Sequence, residues 1–142
     1  MDAEKISLSG LDVEWRRLEV IAQNLANMNS TRSETGEVYH PLRLISGPTG
    51  GFSEMLGAGD NRPEPMGVHV VAIEEAPDGL KRRYDPTHPQ ADPDGFVTTA
   101  NIDHAQEMAL MLKTSRTYEA NLAAVRIAQT MYAKALEIGQ RS

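Results

Sequence analysis

The 142-residue sequence contains no cysteine. This absence excludes disulfide bonds, thiol nucleophiles and cysteine-ligated zinc. Aromatic residues make up only 5% of the chain and hydrophobic residues 40%. This apolar content is low for a core that is stable by itself, but it is higher than the apolar content of disordered chains. The totals therefore fit one small domain with extensions.

Three kinds of segment are also missing. No apolar run approaches the roughly 18 residues of a membrane span, so we expect none. The first ten residues, MDAEKISLSG, lack the basic and apolar regions of a cleaved signal peptide. Any export must then leave the N-terminus uncut. The net charge of −6, with no basic cluster beyond Lys81–Arg83, argues against a nucleic-acid partner.

Proline and glycine divide the chain. All eight prolines lie between Pro41 and Pro93, and nine of the eleven glycines lie between Gly36 and Gly95. These residues are the strongest interruptions of regular structure. We therefore predict an N-terminal assembly helix in residues 1–33, a β-rich middle module in residues 34–102 with a flexible loop at about 46–65, and a C-terminal assembly helix in residues 103–142.

The N-terminal flank has the 3-4 spacing of a coiled-coil seam. Its members are Leu8, Leu11, Trp15, Leu18, Ala22 and Leu25. Val13, Val20 and Ile21 lie beside this seam and widen the apolar face. Ser7 or Ser9 is the predicted N-cap.

The C-terminal flank continues the same rhythm over about 35 residues, which as a helix would be roughly 50 Å long. Asp103 is its predicted N-cap. The seam runs through Met108, Met111, Ser115, Tyr118, Leu122, Val125, Gln129, Tyr132 and Leu136. A second apolar stripe runs through Ala120, Ala124, Ile127, Met131 and Ile138.

The middle of the chain contains four short strand-like runs, at 36–46, 66–76, 79–85 and 95–99. The predicted fold class is therefore α+β. Long N- and C-terminal helices form an antiparallel coiled-coil-like pair, and a small β-rich or irregular module lies between them in sequence.

The second stripe has no predicted partner inside the chain, because the shorter helix covers one face of the longer one. A long exposed apolar stripe marks an interface, here with another chain of the same kind, and a head-to-tail repeat of that contact builds a helical array. An intramolecular helical hairpin is the alternative. The candidate assembly residues are Leu8, Leu11, Trp15, Leu18, Asn24, Leu25, Asn27, Met108, Met111, Tyr118, Glu119, Asn121, Leu122, Val125, Ile127, Met131, Tyr132 and Leu136.

The densest polar segment is YDPTHPQADPDG, residues 84–95. Its possible ligands, Asp85, His88, Asp92 and Asp94, allow a metal-dependent enzyme as a rival hypothesis. The segment lacks the ligand spacing of an EF-hand, and its prolines and terminal Asp-Gly favour a turn. No catalytic motif is present. We therefore expect a protein that is not an enzyme and has no cofactor.

Three ordered segments resemble the bacterial flagellar axial-protein family. SGLDVEWRRLEVIAQNLANMNSTR, residues 9–32, is similar to its N-terminal signature, and SRTYEANLAAVRIAQTMYAKALEIG, residues 115–139, is similar to its C-terminal signature. YDPTHPQADPDGFVTTANID, residues 84–103, resembles the middle of the short basal-body rod protein C family.

The resemblance implies a structural subunit of the proximal rod, which transmits torque. It implies partners among the other rod proteins and copies of the chain itself, and export through the flagellar apparatus without cleavage to the rod in the periplasmic space. A soluble coiled-coil adaptor is a further alternative.

The segment IAQNLANMNSTR, residues 21–32, places Asn24 and Asn27 one turn apart at the end of the first helix. Asparagine tolerates caps and turns, so both residues could simply end the helix. They could also set the register between helices, near Glu119 and Asn121, as a buried polar residue does in a coiled coil. Both interpretations stay open at the level of sequence.

Overall fold

The computed structural model describes residues 2–30, 37–49 and 67–139. Its elements, in chain order, are α1 (Asp2–Asn27), β1 (Leu42–Pro48), β2 (Val68–Glu75), β3 (Leu80–Tyr84), β4 (Phe96–Ala100) and α2 (His104–Gly139). Two long helices that pack together and a small antiparallel strand region confirm the predicted α+β class. Of the predicted loop at 46–65, residues 46–48 belong to β1, and residues 50–65 lie outside the described residues.

The N-cap prediction is correct for α2 and wrong for α1. Oδ1 of Asp103 accepts the backbone N–H groups of Ala105 at 2.8 Å and Gln106 at 3.2 Å, which satisfies two donors that the first turn leaves free. In contrast, α1 already begins at Asp2, so Ser9 lies inside the helix. Its hydroxyl instead donates to the Ile6 carbonyl oxygen and accepts the N–H of Val68 at 3.0 Å.

The strands form two separate antiparallel pairs. β1 pairs with β2 from Leu42↔Glu75 to Pro48↔Val68, and the register shifts between Ile45 and Ser46. β3 pairs with β4 from Leu80↔Ala100 to Tyr84↔Phe96. Each pair is too small to be stable alone, so the β1–β2 sheet depends on what covers its inner face.

The element that covers it is α1. Val13 and Val20 of α1 form a buried cluster with Leu44 of β1, and Leu42 and Val70 pack against that cluster. Val13, Val20 and Ile21 are at most 6% exposed. These three residues, which the heptad pattern places beside the seam, therefore belong to the buried core. The helix is buried on two sides, against the sheet and against α2.

α2 lies at the surface along most of its length. Of its 36 residues, Thr114 and Val125 are buried. Neither α2 nor α1, as far as the structure describes them, is long and apolar enough to cross a membrane. α2 therefore offers most of its surface to solvent or to partners.

A substitution at Gly67 tests whether the start of β2 is held against α1. Its φ is +98°, and a Cβ atom there would collide with Oγ of Ser9. Gly67→Ala should therefore lower the free energy of unfolding by about 1–3 kcal/mol, through left-handed backbone strain and steric overlap. Urea denaturation measures the change.

Gly139→Ala is the matched control, because a Cβ atom added at this glycine would meet nothing within 4 Å apart from its chain neighbours and the backbone of its own helix. Replacing this helical glycine should leave stability unchanged or raise it slightly. Equal effects of the two substitutions would contradict the proposed contact between Gly67 and Ser9.

Candidate assembly interface

The two helices run antiparallel, and three contacts define their register. Nε2 of Gln129 donates to Oε1 of Glu4 at 3.0 Å. Gly10 lies so close to Asn121 that a Cβ atom would be 2.8 Å from its Nδ2. The rings of Trp15 and Tyr118 have centroids 6.4 Å apart. As the residue number rises along α1 it falls along α2, so the predicted antiparallel pair forms within one chain.

The predicted assembly residues fall into two groups in this pair. Those buried or half-buried in the monomer are Leu11, Leu18, Asn24, Leu25, Asn27, Met111, Tyr118, Asn121, Leu122 and Val125. Those exposed to solvent are Leu8, Trp15, Met108, Glu119, Ile127, Met131, Tyr132 and Leu136. The first group serves the intramolecular contacts, and the second remains available to another molecule.

The exposed group is concentrated toward the C-terminal end of α2. Ile127, Met131, Tyr132 and Leu136 are 50–67% exposed. Gln129 contacts Glu4 of α1, and α2 continues for ten residues past this contact to Gly139, or roughly 15 Å. Apolar side chains that stay exposed in a row mark a contact surface.

Asn24 is the buried polar residue of α1, with 2% exposure. Its Nδ2 donates to the Leu42 carbonyl oxygen at 3.0 Å. Its Oδ1 accepts both the Leu42 N–H and the Tyr39 hydroxyl, each at 2.9 Å. The side chain thus binds the main chain of β1 as a neighbouring strand would. It attaches the helix to the sheet within its own chain.

Asn27 has a local role. Its Nδ2 donates to the Gln23 carbonyl oxygen at 2.9 Å, and its Oδ1 accepts the Ser30 hydroxyl at 3.3 Å. The Ser30 N–H also donates to the Asn27 carbonyl oxygen at 3.0 Å. These bonds satisfy groups at the end of α1, as the helix-stop interpretation expects.

Sequence reasoning missed the anchoring role of Asn24 and a second anchor, Arg17. Nη1 of Arg17 donates to the Leu44 carbonyl oxygen at 3.4 Å, and Nη2 donates to Oγ of Ser46 at 3.0 Å. The sequence indicated this role of Asn24 only through the position of the residue around the helix axis. Asn24 lies on the face of Val13 and Val20 rather than on the heptad seam, so it points toward the sheet.

A carboxylate completes the polar group around Asn24. Glu107, in the first turn of α2, lies beside the Asn24 side chain, and its Oε2 is buried with no hydrogen-bond partner among the described residues. Burial raises the pKa of the Glu107 carboxyl, and the polar Asn24 side chain opposes this in part. Burial, followed by the Glu107 charge, raises the pKa of the Tyr39 hydroxyl.

These residues border a cleft of about 530 Å³. Its walls are α1, β1, the segments 76–78 and 101–103, and the start of α2. Asn24 and Glu107 both line it. The cleft separates the sheet from the N-terminal end of α2, so these two elements meet mainly through α1 and this polar group.

The four residues of the metal hypothesis build a turn instead. Oδ1 of Asp92 accepts the N–H groups of Phe96 and Asp94, and its Oδ2 pairs with Arg82 at 2.6 Å. The Phe96 N–H and then Arg82 hold the pKa of the Asp92 carboxyl below its ordinary value. Asp85 accepts the Thr87 hydroxyl. No cluster that could hold a metal ion occurs in the described part of the chain.

Asn24→Ala should lower the free energy of unfolding by about 2–4 kcal/mol, because it leaves the N–H and carbonyl groups of Leu42 without partners. Urea denaturation followed by circular dichroism measures the change. Asn27→Ala, which removes one exposed bond and one long, partly buried bond, should cost less than about 1 kcal/mol. A loss of that small size in Asn24→Ala would contradict the anchoring role.

Glu107→Gln should stabilise the protein at neutral pH. A carboxyl with a raised folded-state pKa stabilises the fold below the ordinary carboxyl pKa and loses that contribution as pH rises through the folded-state pKa. The variant should therefore unfold at higher urea than the parent at neutral pH, and the difference should shrink in acid. The pKa of Tyr39 should also fall, because the Glu107 charge contributes to its elevation.

Glu119→Gln removes a carboxylate from an exposed position of α2 and is the matched control. Its unfolding midpoint should follow that of the parent at both pH values. A pH-independent effect of Glu107→Gln would contradict the assigned cause.

Comparison with known proteins identifies the family. The model of the flagellar basal body rod FlgEFG protein C-terminal family matches residues 94–138. The flagellar basal-body rod protein FlgC of Bacillus subtilis is 35% identical, with 95% of each chain covered. FlgC of Aquifex aeolicus is 34% identical over 96% of this chain and 94% of its own. FlgC of Borreliella burgdorferi is 32% identical over 95% and 94%. The chain belongs to the FlgC family of flagellar basal-body rod proteins.

Proposed function

We propose that this chain is a structural subunit of the proximal part of the rod, and that it assembles with other rod proteins and with itself through its terminal helices. The observation that carries the proposal is the exposed apolar surface of α2. Ile127, Met131 and Tyr132 are at least 60% exposed. Each large apolar side chain that becomes buried contributes about 1.5–3 kcal/mol, so assembly is the favourable outcome for this surface.

In this proposal the helix pair serves two functions. The half-buried seam between α1 and α2 holds the subunit together, and the exposed faces of the same helices bind neighbours. Torque passes between subunits through these side-by-side helical contacts, because close-packed interiors transmit strain. The β strands remain outside the helical layer of the rod.

The proposal includes no catalysis and no cofactor. The polar residues of the segment 85–95 already form hydrogen bonds in a turn, as those of Asp85 and Asp92 illustrate. In this proposal the subunit reaches the periplasmic rod through the flagellar export apparatus with its N-terminus uncut.

The direct test is genetic and biochemical. Deleting the gene in its own bacterium should abolish swimming, and a plasmid copy should restore it. Basal bodies purified from the complemented strain should contain the chain, detected by mass spectrometry. Normal swimming without the gene, or basal bodies that lack the protein, would overturn the proposal.

The seam makes a separate prediction. Leu122 is half-buried in α2 and follows Asn121, which contacts Gly10. Leu122→Asp places a charge there and should destabilise the pair by about 2–5 kcal/mol and abolish swimming. Thermal unfolding and a motility assay measure these effects, with exposed Thr117→Asp as the control. Unchanged stability and swimming in Leu122→Asp would exclude this role of the seam.

A further inference from the structure

One side of α1 is exposed to solvent apart from the contact between the tilted rings of Trp15 and Tyr118. Leu8 and Trp15 are 48% and 55% exposed on this side. The exposed Asp12 and Glu19 share the same helical face, because they follow Leu8 and Trp15 by four residues. We name Leu8, Asp12, Trp15 and Glu19 the α1 patch. It is an apolar centre with two carboxylates about 10 Å apart along the helix. On α1 itself, Asp12 forms a long, exposed ion pair with Arg16 at 4.0 Å, and Oε1 of Glu19 accepts the exposed indole N–H of Trp15 at 3.2 Å.

The outer side of α2 has a matching arrangement. Ile127 and Met131 are 61% and 67% exposed, and the exposed side chains of Arg126 and Lys134 stand on either side of them in sequence. Neither cation has an ion pair among the residues that the structure describes. We name Arg126, Ile127, Met131 and Lys134 the α2 patch. Its two positive charges are about 12 Å apart along the helix.

The charges of the whole chain are distributed in the same way, with acidic residues in excess before α2 and basic residues in slight excess within it. Residues 1–103 hold 17 acidic and nine basic residues, whereas α2 holds three acidic and four basic residues. α2 is thus a weakly basic helix on an acidic protein. Between two copies, this asymmetry attracts the α2 of one toward the α1 side of the other and disfavours contact between two α1 sides.

We propose that the α1 patch of one copy binds the α2 patch of a second copy. Asp12 and Glu19 then face Arg126 and Lys134. The two carboxylates are about 2 Å closer together along their helix than the two cations are along theirs, and the long, flexible Arg and Lys side chains can adjust to this difference. The indole of Trp15 packs against Ile127 and Met131. Tryptophan is enriched at the energetic centres of interfaces, and methionine adapts to the shape of its partner.

This contact is heterologous, because it joins two different patches. Each copy keeps one free patch of each kind, so the contact repeats and builds a ring or a helical array. The inference rests on the proposed rod function and names one of its contacts. Two small patches bury less than the roughly 1,200–2,000 Å² of a stable pair, so the contact is weak between two isolated copies and gains strength in an array.

Reciprocal charge reversal tests the contact in the full-length chain. D12K/E19K and R126E/K134E should each weaken self-association at low salt by about tenfold or more. An equimolar mixture of the two variants should recover most of it, because each altered patch then meets a complementary one. Sedimentation velocity over a concentration series measures association. K113E/R116E, the same charge change about 15 Å away along α2, is the control and should have little effect.

A wild-type chain that does not associate at the highest attainable concentration would overturn the inference. Reversed variants that associate like the wild type, or a mixture that shows no recovery, would do the same. In cells, each reversed pair should reduce swimming, and all four substitutions in one chain should restore it. If the wild-type chain is present in basal bodies but the reversed pairs do not rescue each other, this contact is wrong and the proposed function stands. If it is absent from basal bodies, the proposed function fails, while sedimentation still decides the contact.

Discussion

The arrangement of the molecule depends on the hydrogen bonds between the Asn24 side chain and the main chain of Leu42. A two-stranded sheet has unpaired backbone groups along its edges and little apolar surface to bury. Asn24 satisfies both groups of Leu42 while it is itself buried. Because the amide is both donor and acceptor, a single side chain holds the strand against the helix in one register.

This attachment makes α1 the central element of the described fold. One side of α1 packs on the β1–β2 sheet through Val13 and Val20, and another packs on α2. α2 in turn has only two buried residues, Thr114 and Val125. The side of α2 that faces away from α1 is free because the strand region is held by α1 and does not cover it. The residues on the side of α2 that packs on α1 stabilise the subunit, and we propose that the residues on its outer side bind neighbouring subunits.

Sequence periodicity predicted the helices and the strand region but misjudged which face of α1 is the core. The heptad seam from Leu8 to Leu25 suggested that these residues would be buried, yet Leu8 and Trp15 are about half exposed. Val13 and Val20 have the deeper positions because α1 packs on a sheet as well as on a helix. A heptad pattern identifies the single stripe of residues that would contact one partner helix. A helix that packs against two partners buries a wider face, and the centre of that face does not coincide with the stripe.

The sequence by itself determined the α+β class, the order of the elements, the N-cap of α2 at Asp103 and the presence of an apolar stripe beyond what α1 covers. These features follow from local periodicity, turn residues and apolar content. Only the tertiary structure decided that Asn24 binds β1, that Ser9 accepts the N–H of Val68, and that Asp85 and Asp92 close a turn. Such polar contacts join residues that are brought together by folding, and each side chain has several possible partners in sequence. The three-dimensional position of the backbone selects one of them.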